Sequence, residues 1–228
     1  KIGGRRCSAS VAYLRPAAGR PNLTVATGVL VHKLLLDGSR ATGVVAQRGS
    51  ERLSLMARRE VVLATGAINS PQLLMLSGIG PADELRRHGI NVALDHRDIG
   101  KNLQDHLNLG LSFRCREPAS LAWIGSPLGK AMVGARWLAF IDGPAASNTW
   151  EVRGFARTDP VHDRPGVHYH LGPMMIEPNE KGFRLAHGFM LHMAQLRQKS
   201  RGRLTLRSAI PTDAPVIDGP SGWLVFDD

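Results

Sequence analysis

Cysteine, aromatic residues and acidic charge are all scarce in this chain of 228 residues, and long apolar runs are missing. The two cysteines, Cys7 and Cys115, stand far apart and outside any Cys-x-x-Cys or Cys/His spacing. Neither a disulfide framework nor a zinc site is indicated, and a reducing compartment fits. No apolar stretch approaches the roughly 20 residues of a membrane span, and Lys1 to Arg6 lack the apolar core of a secretory signal. A cytoplasmic placement follows, with association at a membrane surface as the other placement and no integral membrane segment. Acidic residues number 19 against 29 basic ones, a formal charge of +10 that would attract polyanions. The arginines, however, are scattered beside Gly, Pro and Ala, without a basic stripe or interleaved aromatics at stacking spacing. No nucleic-acid partner is therefore expected, and a basic polyanion-binding module is kept only as an alternative.

What remains is 43% hydrophobic residues, enough for a sizeable core. From Asn22 onward, short apolar runs alternate with turns: Asn22 to Val25, Val29 to Leu36, the turn Asp37-Gly38, Ala41 to Arg48, Gly49-Ser50, and Leu53 to Met56. This pattern predicts an antiparallel meander. Glu60 to Ala64 is nearly all apolar, as a strand buried on both faces should be, and it meets Thr65-Gly66-Ala67 before a helical pattern. Ser70 suits an N-cap, Pro71 the first helical position and Gly78 the end of that helix. A second helix, Ala82 to His88, carries Asp83 and Glu84 in its first turn and Arg86, Arg87 and His88 in its last, which matches the helix dipole. After His106 the pattern changes to strands near 107–114, 152–156, 167–171, 188–193 and 203–206, with a helix over 131–141. The expected division is 1–106 and 107–228.

The most specific stretch is Gly66-Ala-Ile-Asn-Ser-Pro-Gln-Leu-Leu-Met-Leu-Ser-Gly-Ile-Gly80. By itself, Gly66-Ala67 at the carboxyl end of a buried strand could admit a nucleotide or serve plain strand-helix packing. The whole run resembles the second signature of the glucose-methanol-choline flavoenzymes. Arg20 to Gly28 followed by Val31, and Ile99-Gly-Lys-Asn-Leu-Gln-Asp-His106, agree with the same family in order and spacing. The resemblance covers about Arg5 to Ser208. It implies FAD as cofactor, with the main chain of Val31 and the turn Thr65, Gly66 and Ala67 at the adenine end, and with Asn102, Asp105 and His106 near the cofactor or substrate cavity. Val31 could equally be core, and the Gly100 to His106 segment a structural turn. Where the family usually shows Pro-Gly-Val-Gly, this chain has Arg97-Asp98-Ile99-Gly100, which adds charge and removes a turn proline.

In the second half, Ala146-Ser-Asn-Thr-Trp-Glu151 resembles the stretch of choline-oxidising members whose acidic residue faces a quaternary ammonium. Glu151 is the candidate substrate ligand, with Trp150 beside it as a cation-π face; surface placement is the alternative. Val167-His-Tyr-His170 and Gly188 to His192 match the substrate-domain strands. A His-x-His strand puts both rings on one face, yet lacks the further ligands of a metal site, so packing is expected and no metal.

Both ends read as cuts. The Gly-x-Gly-x-x-Gly turn with which family members begin is not found, and no segment matches the family's C-terminal catalytic histidine, so no catalytic residue is assigned. The fold class expected is α/β plus α+β: a partial FAD-binding nucleotide domain, parallel sheet with antiparallel meander, and a partial antiparallel-sheet substrate domain. The resemblance implies oxidation of an alcohol such as choline to its aldehyde by hydride transfer to FAD, with electrons passed to an acceptor other than oxygen. The chain alone is expected to be inactive, and its protein partners to be complementary fragments or further copies. A non-catalytic remnant domain is the other alternative.

Overall fold

The structure, a computed structural model, describes residues 1–150, 152–161, 163–180 and 182–219. Their contacts divide the chain into two compact units, and neither is continuous in sequence. One comprises Lys1–Thr24 and His106–Arg197, the other Val25–Asp105 and the chain from Gln198 on. The expected division was into two consecutive stretches; the chain instead passes from one unit to the other at Thr24, His106 and Gln198.

In the Val25–Asp105 unit, β1 (Leu30–Asp37), β2 (Arg40–Arg48) and β3 (Glu51–Met56) form a three-stranded antiparallel meander in the order β1-β2-β3. Its two-residue turns are Gly49-Ser50, as expected, and Gly38-Ser39, one residue beyond the expected Asp37-Gly38 because Asp37 pairs with Arg40. Asn22 to Val25, expected as a further strand, forms none. On β1 the register slips between Val31, opposite Ala46, and Lys33, opposite Val45, so His32 is an extra residue in a β-bulge. Leu34, Val45 and Ala46 are buried in the meander. Helix α1 (Gly66–Leu76) is fastened to it through Ser77, whose hydroxyl accepts from the Leu34 N–H at 2.8 Å and donates to the Leu73 carbonyl at 2.6 Å.

β4 (Ile79–Gly80) and β5 (Leu94–Asp95) make a short parallel pair around helix α2 (Ala82–Arg87). Inside lies the core of this unit: Met75, Leu85, Leu204 and Leu206, ringed by Ile68, Leu76, Ile90, Val92 and Ile99. Leu204 belongs to β12 (Arg203–Thr205), which pairs with β13 (Val216–Asp218). Gly100 lets the two strands of chain approach: its φ is +84°, and a Cβ there would sit 2.2 Å from the Leu204 carbonyl oxygen. Buried Glu84 accepts from the Leu206 N–H at 3.1 Å, with Arg87 and His88 beside it.

Two expectations are corrected. Residues 60–64 form no strand, and Val62 is 75% exposed. A strand exists only with a partner to complete its ladder, and none of the described residues supplies one. Helix α1 starts at Gly66 with Thr65 in the cap position, so Ser70 is no N-cap and Pro71 lies within the helix. The Ser70 hydroxyl is engaged at 2.9 Å by that of Thr65, which draws it away from a capping role.

The other unit is built on a four-stranded antiparallel sheet in the order β6-β11-β8-β7: β6 (Asn108–Arg114), β11 (Gly188–Gln195), β8 (Val167–Gly172) and β7 (Val152–Ala156). A hairpin of β9 (Met175–Asn179) and β10 (Gly182–Ala186), not foreseen, stands beside it. Its Glu177 is buried between Arg114 and Arg184. Helix α3 (Pro127–Phe140) begins four residues earlier than expected because Ser126 caps it, accepting from the Gly129 N–H at 3.0 Å, with Pro127 in the first position. Cys7 and Cys115 are both free.

Candidate functional site

Five of the expected residues fall in the Val25–Asp105 unit, on three elements. Val31 is half-buried on β1, directly before the bulge at His32. A bulge releases main-chain groups from the ladder, so the backbone around Val31 is where this sheet could offer hydrogen bonds to a planar heterocycle. Two cavities flank it: one of about 420 Å³ lined by Gly28, Val29, Leu30, Gln47 and Gly49, and one of about 280 Å³ lined by His32, Lys33, Gln47, Arg52 and Leu76.

Thr65, Gly66 and Ala67 are exposed at the start of α1, where the first N–H groups have no acceptor within the helix. Gly66 has φ +88°, and a Cβ built on it meets nothing within 4 Å. The glycine therefore answers a conformational demand, and it leaves open space in which a ligand can lie against the turn. Asn102 is exposed and left-handed at φ +58°. Its loop is held at both ends, by Leu204 N–H to Gly100 O at 2.6 Å and by the exchange of bonds between Leu103 and Gly202. Open space thus lies at Gly66, released main chain at Val31 and a tethered loop at Asn102; neither of the two cavities is lined by Thr65, Gly66, Ala67 or Asn102.

Trp150 belongs to the other unit, half-buried on one face of the four-stranded sheet; Glu151 lies outside the described residues. The indole stands edge-on to His192, centroids 4.8 Å apart at 81°, and to His170, 6.2 Å at 80°. Arg153 donates from Nε to the Trp150 carbonyl at 3.2 Å. His168 Nδ1 and His170 Nε2 are 3.1 Å apart, and Phe155 stacks on His168 at 4.5 Å. Burial holds the His170 imidazole below the ordinary histidine range, helped by His168, Arg153 and His192. No group of three or more His, Cys, Asp or Glu among the described residues is arranged to hold a metal ion.

Strand packing, the role expected of these histidines, leaves out the meeting of His170 and His192 at Trp150. The signal was present in part: His168 and His170 alternate on one strand. That His192 stands opposite His170 depends on strand order, which no local pattern encodes.

Residues 2–108 match the profile of GMC oxidoreductase. The chain is 45% identical to the oxygen-dependent choline dehydrogenase of Brucella anthropi over 94% of its own length and 39% of that protein's. The stretch that resembles GMC oxidoreductase is just under half of the chain, and the likeness to the Brucella enzyme runs through nearly all of it. The enzyme of the same name from Burkholderia ambifaria is 43% identical, with 94% of this chain and 38% of that protein covered. Among solved structures, formate oxidase superposes at TM-score 0.83 with 25% identity, covering 96% of this chain and 43% of that one. Pyridoxine 4-oxidase from Mesorbium loti does so at 0.73 with 28%, covering 97% and 40%. The chain thus spans about two fifths of the length of these GMC relatives, and α/β elements beside antiparallel sheets are the fold they share.

Proposed function

We propose that a protein carrying this chain oxidises a small primary alcohol, choline or a choline-like compound, to the aldehyde, with FAD as cofactor. FAD, when bound, supplies the hydride acceptor. The main chain around Val31 and the turn Thr65-Gly66-Ala67 hold its adenine end, and the loop at Asn102 lies beside the cofactor. Trp150 and Glu151 receive the cationic head of the alcohol, the indole by its π face and the carboxylate by charge. Neither is a general base, and the chain alone is inactive for want of one. What supports this reading most is the 45% identity with the Brucella choline dehydrogenase, spread over 94% of the chain. The name of that relative carries oxygen, which does not sit with an acceptor other than oxygen; molecular oxygen is the acceptor to test first.

The test is FAD fluorescence titrated with the purified chain, beside the absorbance spectrum. Quenching that saturates, and that Gly66→Val weakens, is the expected result. A chain folded by circular dichroism that leaves FAD fluorescence untouched would sink the adenine-end assignment.

A further inference from the structure

The histidines around Trp150 form a seat whose geometry depends on their charge. Alternation along β8 puts His168, His170 and Gly172 on one face. Register then sets His170 between His192 of β11 and Arg153 of β7, and Gly172 opposite Met190. The indole occupies the space that Gly172 leaves, since a Cβ there would meet the ring's Cζ3 at 3.0 Å. Its edge contacts with His192 and His170 are therefore what locate it across the sheet.

That face resists charge at several points. His168 and His170 share a hydrogen bond between ring nitrogens, which requires one of them to accept and fails when both are protonated. His168 Nε2 is buried without a hydrogen-bond partner, so protonating it would leave a desolvated N–H. Arg153, always cationic, adds like charge from β7. β11 contributes His192, whose Nε2 lies 2.7 Å from Met190 Sδ and whose Nδ1 lies 3.4 Å from Asn108 Oδ1, two acceptors that place the ring without opposing its charge; β6 brings Asn108, Gly110 and Ser112 to this face and, at its end, Arg114, which is paired with Glu177. Glu151 lies outside the described residues.

We propose that His170 and His192 are positioning residues for Trp150, the two rings seating the indole while His170 is neutral and releasing it when that imidazole charges, so that mild acid switches off the reception of an organic cation there. The part concerning the cation rests on the function proposed above; the seat does not.

The experiment reads the emission of Trp150 in the 228-residue chain, isolated by subtracting the spectrum of Trp150→Phe. As pH falls from about 8 to about 5, it shifts to longer wavelength, with a midpoint below the ordinary histidine value of about 6.5. In His170→Gln and His192→Gln the transition is lost or displaced while far-ultraviolet circular dichroism is unchanged. A Trp150 emission that does not move, or that moves with the same midpoint in both variants, overturns the seat. Should those variants unfold, Gly172→Ala carries the test, since it displaces the ring directly and should give the long-wavelength emission already at pH about 8; unchanged emission there overturns the proposal. Choline added at that pH separates the two readings. A pH transition without any response to choline sinks the cation receptor alone, and a choline response that is the same at both pH values sinks the switch alone.

Discussion

The two units of this chain are held together differently. In the Val25–Asp105 unit a closed apolar cluster exists: Met75 and Leu85 are 1% and 0% exposed, and Leu204 and Leu206 are buried with them. In the other unit the four-stranded sheet leaves much of its apolar surface open, with every residue of β6 exposed and Phe155 at 62%. There, order comes from ladder hydrogen bonds, from the Phe113–Phe189 stack at 4.8 Å and from buried Glu177 between two arginines. A sheet with open apolar faces is a surface meant to be covered or to face a ligand, whereas the first unit carries its own core. Stability therefore rests on different interactions in the two: truncations should injure the first unit most, and charge changes the second.

The largest expected effect is Leu85→Ala, which opens a cavity in a fully buried site and should destabilise by about 3 kcal/mol. Leu111→Ala on β6, 40% exposed, should fall below about 1 kcal/mol. Urea unfolding of both variants measures the contrast, and equal losses would mean that the sheet hides a core of comparable weight. Next comes Gly100→Ala. It forces a left-handed backbone on alanine and a Cβ against the Leu204 carbonyl, for a loss of about 2 kcal/mol. Hydrogen exchange should show that loss around the Gly100–Leu204 and Leu103–Gly202 bonds and leave β8 and β11 as they were.

What could be read from the sequence follows the range of the interactions. The hairpins of β1 to β3 were legible because two-residue turns and alternation are local. So was the Gly66 to Gly80 unit, where the resemblance over a whole motif pointed to the open turn at Gly66. Residues 60–64 were misread because an apolar run records the burial a strand would have beside its partners, and no partner is among the described residues. Helix α1 was started too late because Ser70 and Pro71 carry the local signature of a helix start, while the actual start depends on Gly66 turning the chain. The seat at Trp150 was out of reach, since it joins residues from β7, β8 and β11 through a sheet order that skips along the chain.

Two smaller predictions concern charge. Glu177→Ala removes the partner of Arg114 and Arg184; because both arginines are mostly exposed, solvent screens the pairs and the loss should be about 1 kcal/mol, read as weaker protection of β9 and β10. At His170 the folded-state value lies below the ordinary one, so the unfolded chain binds the proton more readily. Stability is then full above the ordinary histidine value, about 6.5, and declines as pH falls from there toward the depressed one. His170→Gln should flatten that part of the pH profile of unfolding, and a profile as steep as before would assign the slope to another group.

The smallest effect belongs to the pair that closes helix α3. Arg136 donates to both oxygens of Asp142, at 2.7 and 3.1 Å, and that bidentate bond, foremost among the causes, holds the carboxyl below its usual range and the guanidinium above its own. A carboxylate depressed on folding stabilises above its unfolded value and loses that contribution as pH falls through the folded one. The two side chains are 59% and 51% exposed, so salt and water screen the pair nearly completely. Asp142→Asn should therefore leave the unfolding midpoint almost unchanged at neutral pH. What it should change is local: Arg136 also packs beside Gly143, whose added Cβ would lie 3.0 Å from the arginine Cδ, so the turn after α3 should exchange its amides faster. A loss of stability as large as that of Gly100→Ala would mean that this open unit depends on its surface charges far more than its exposed sheet suggests.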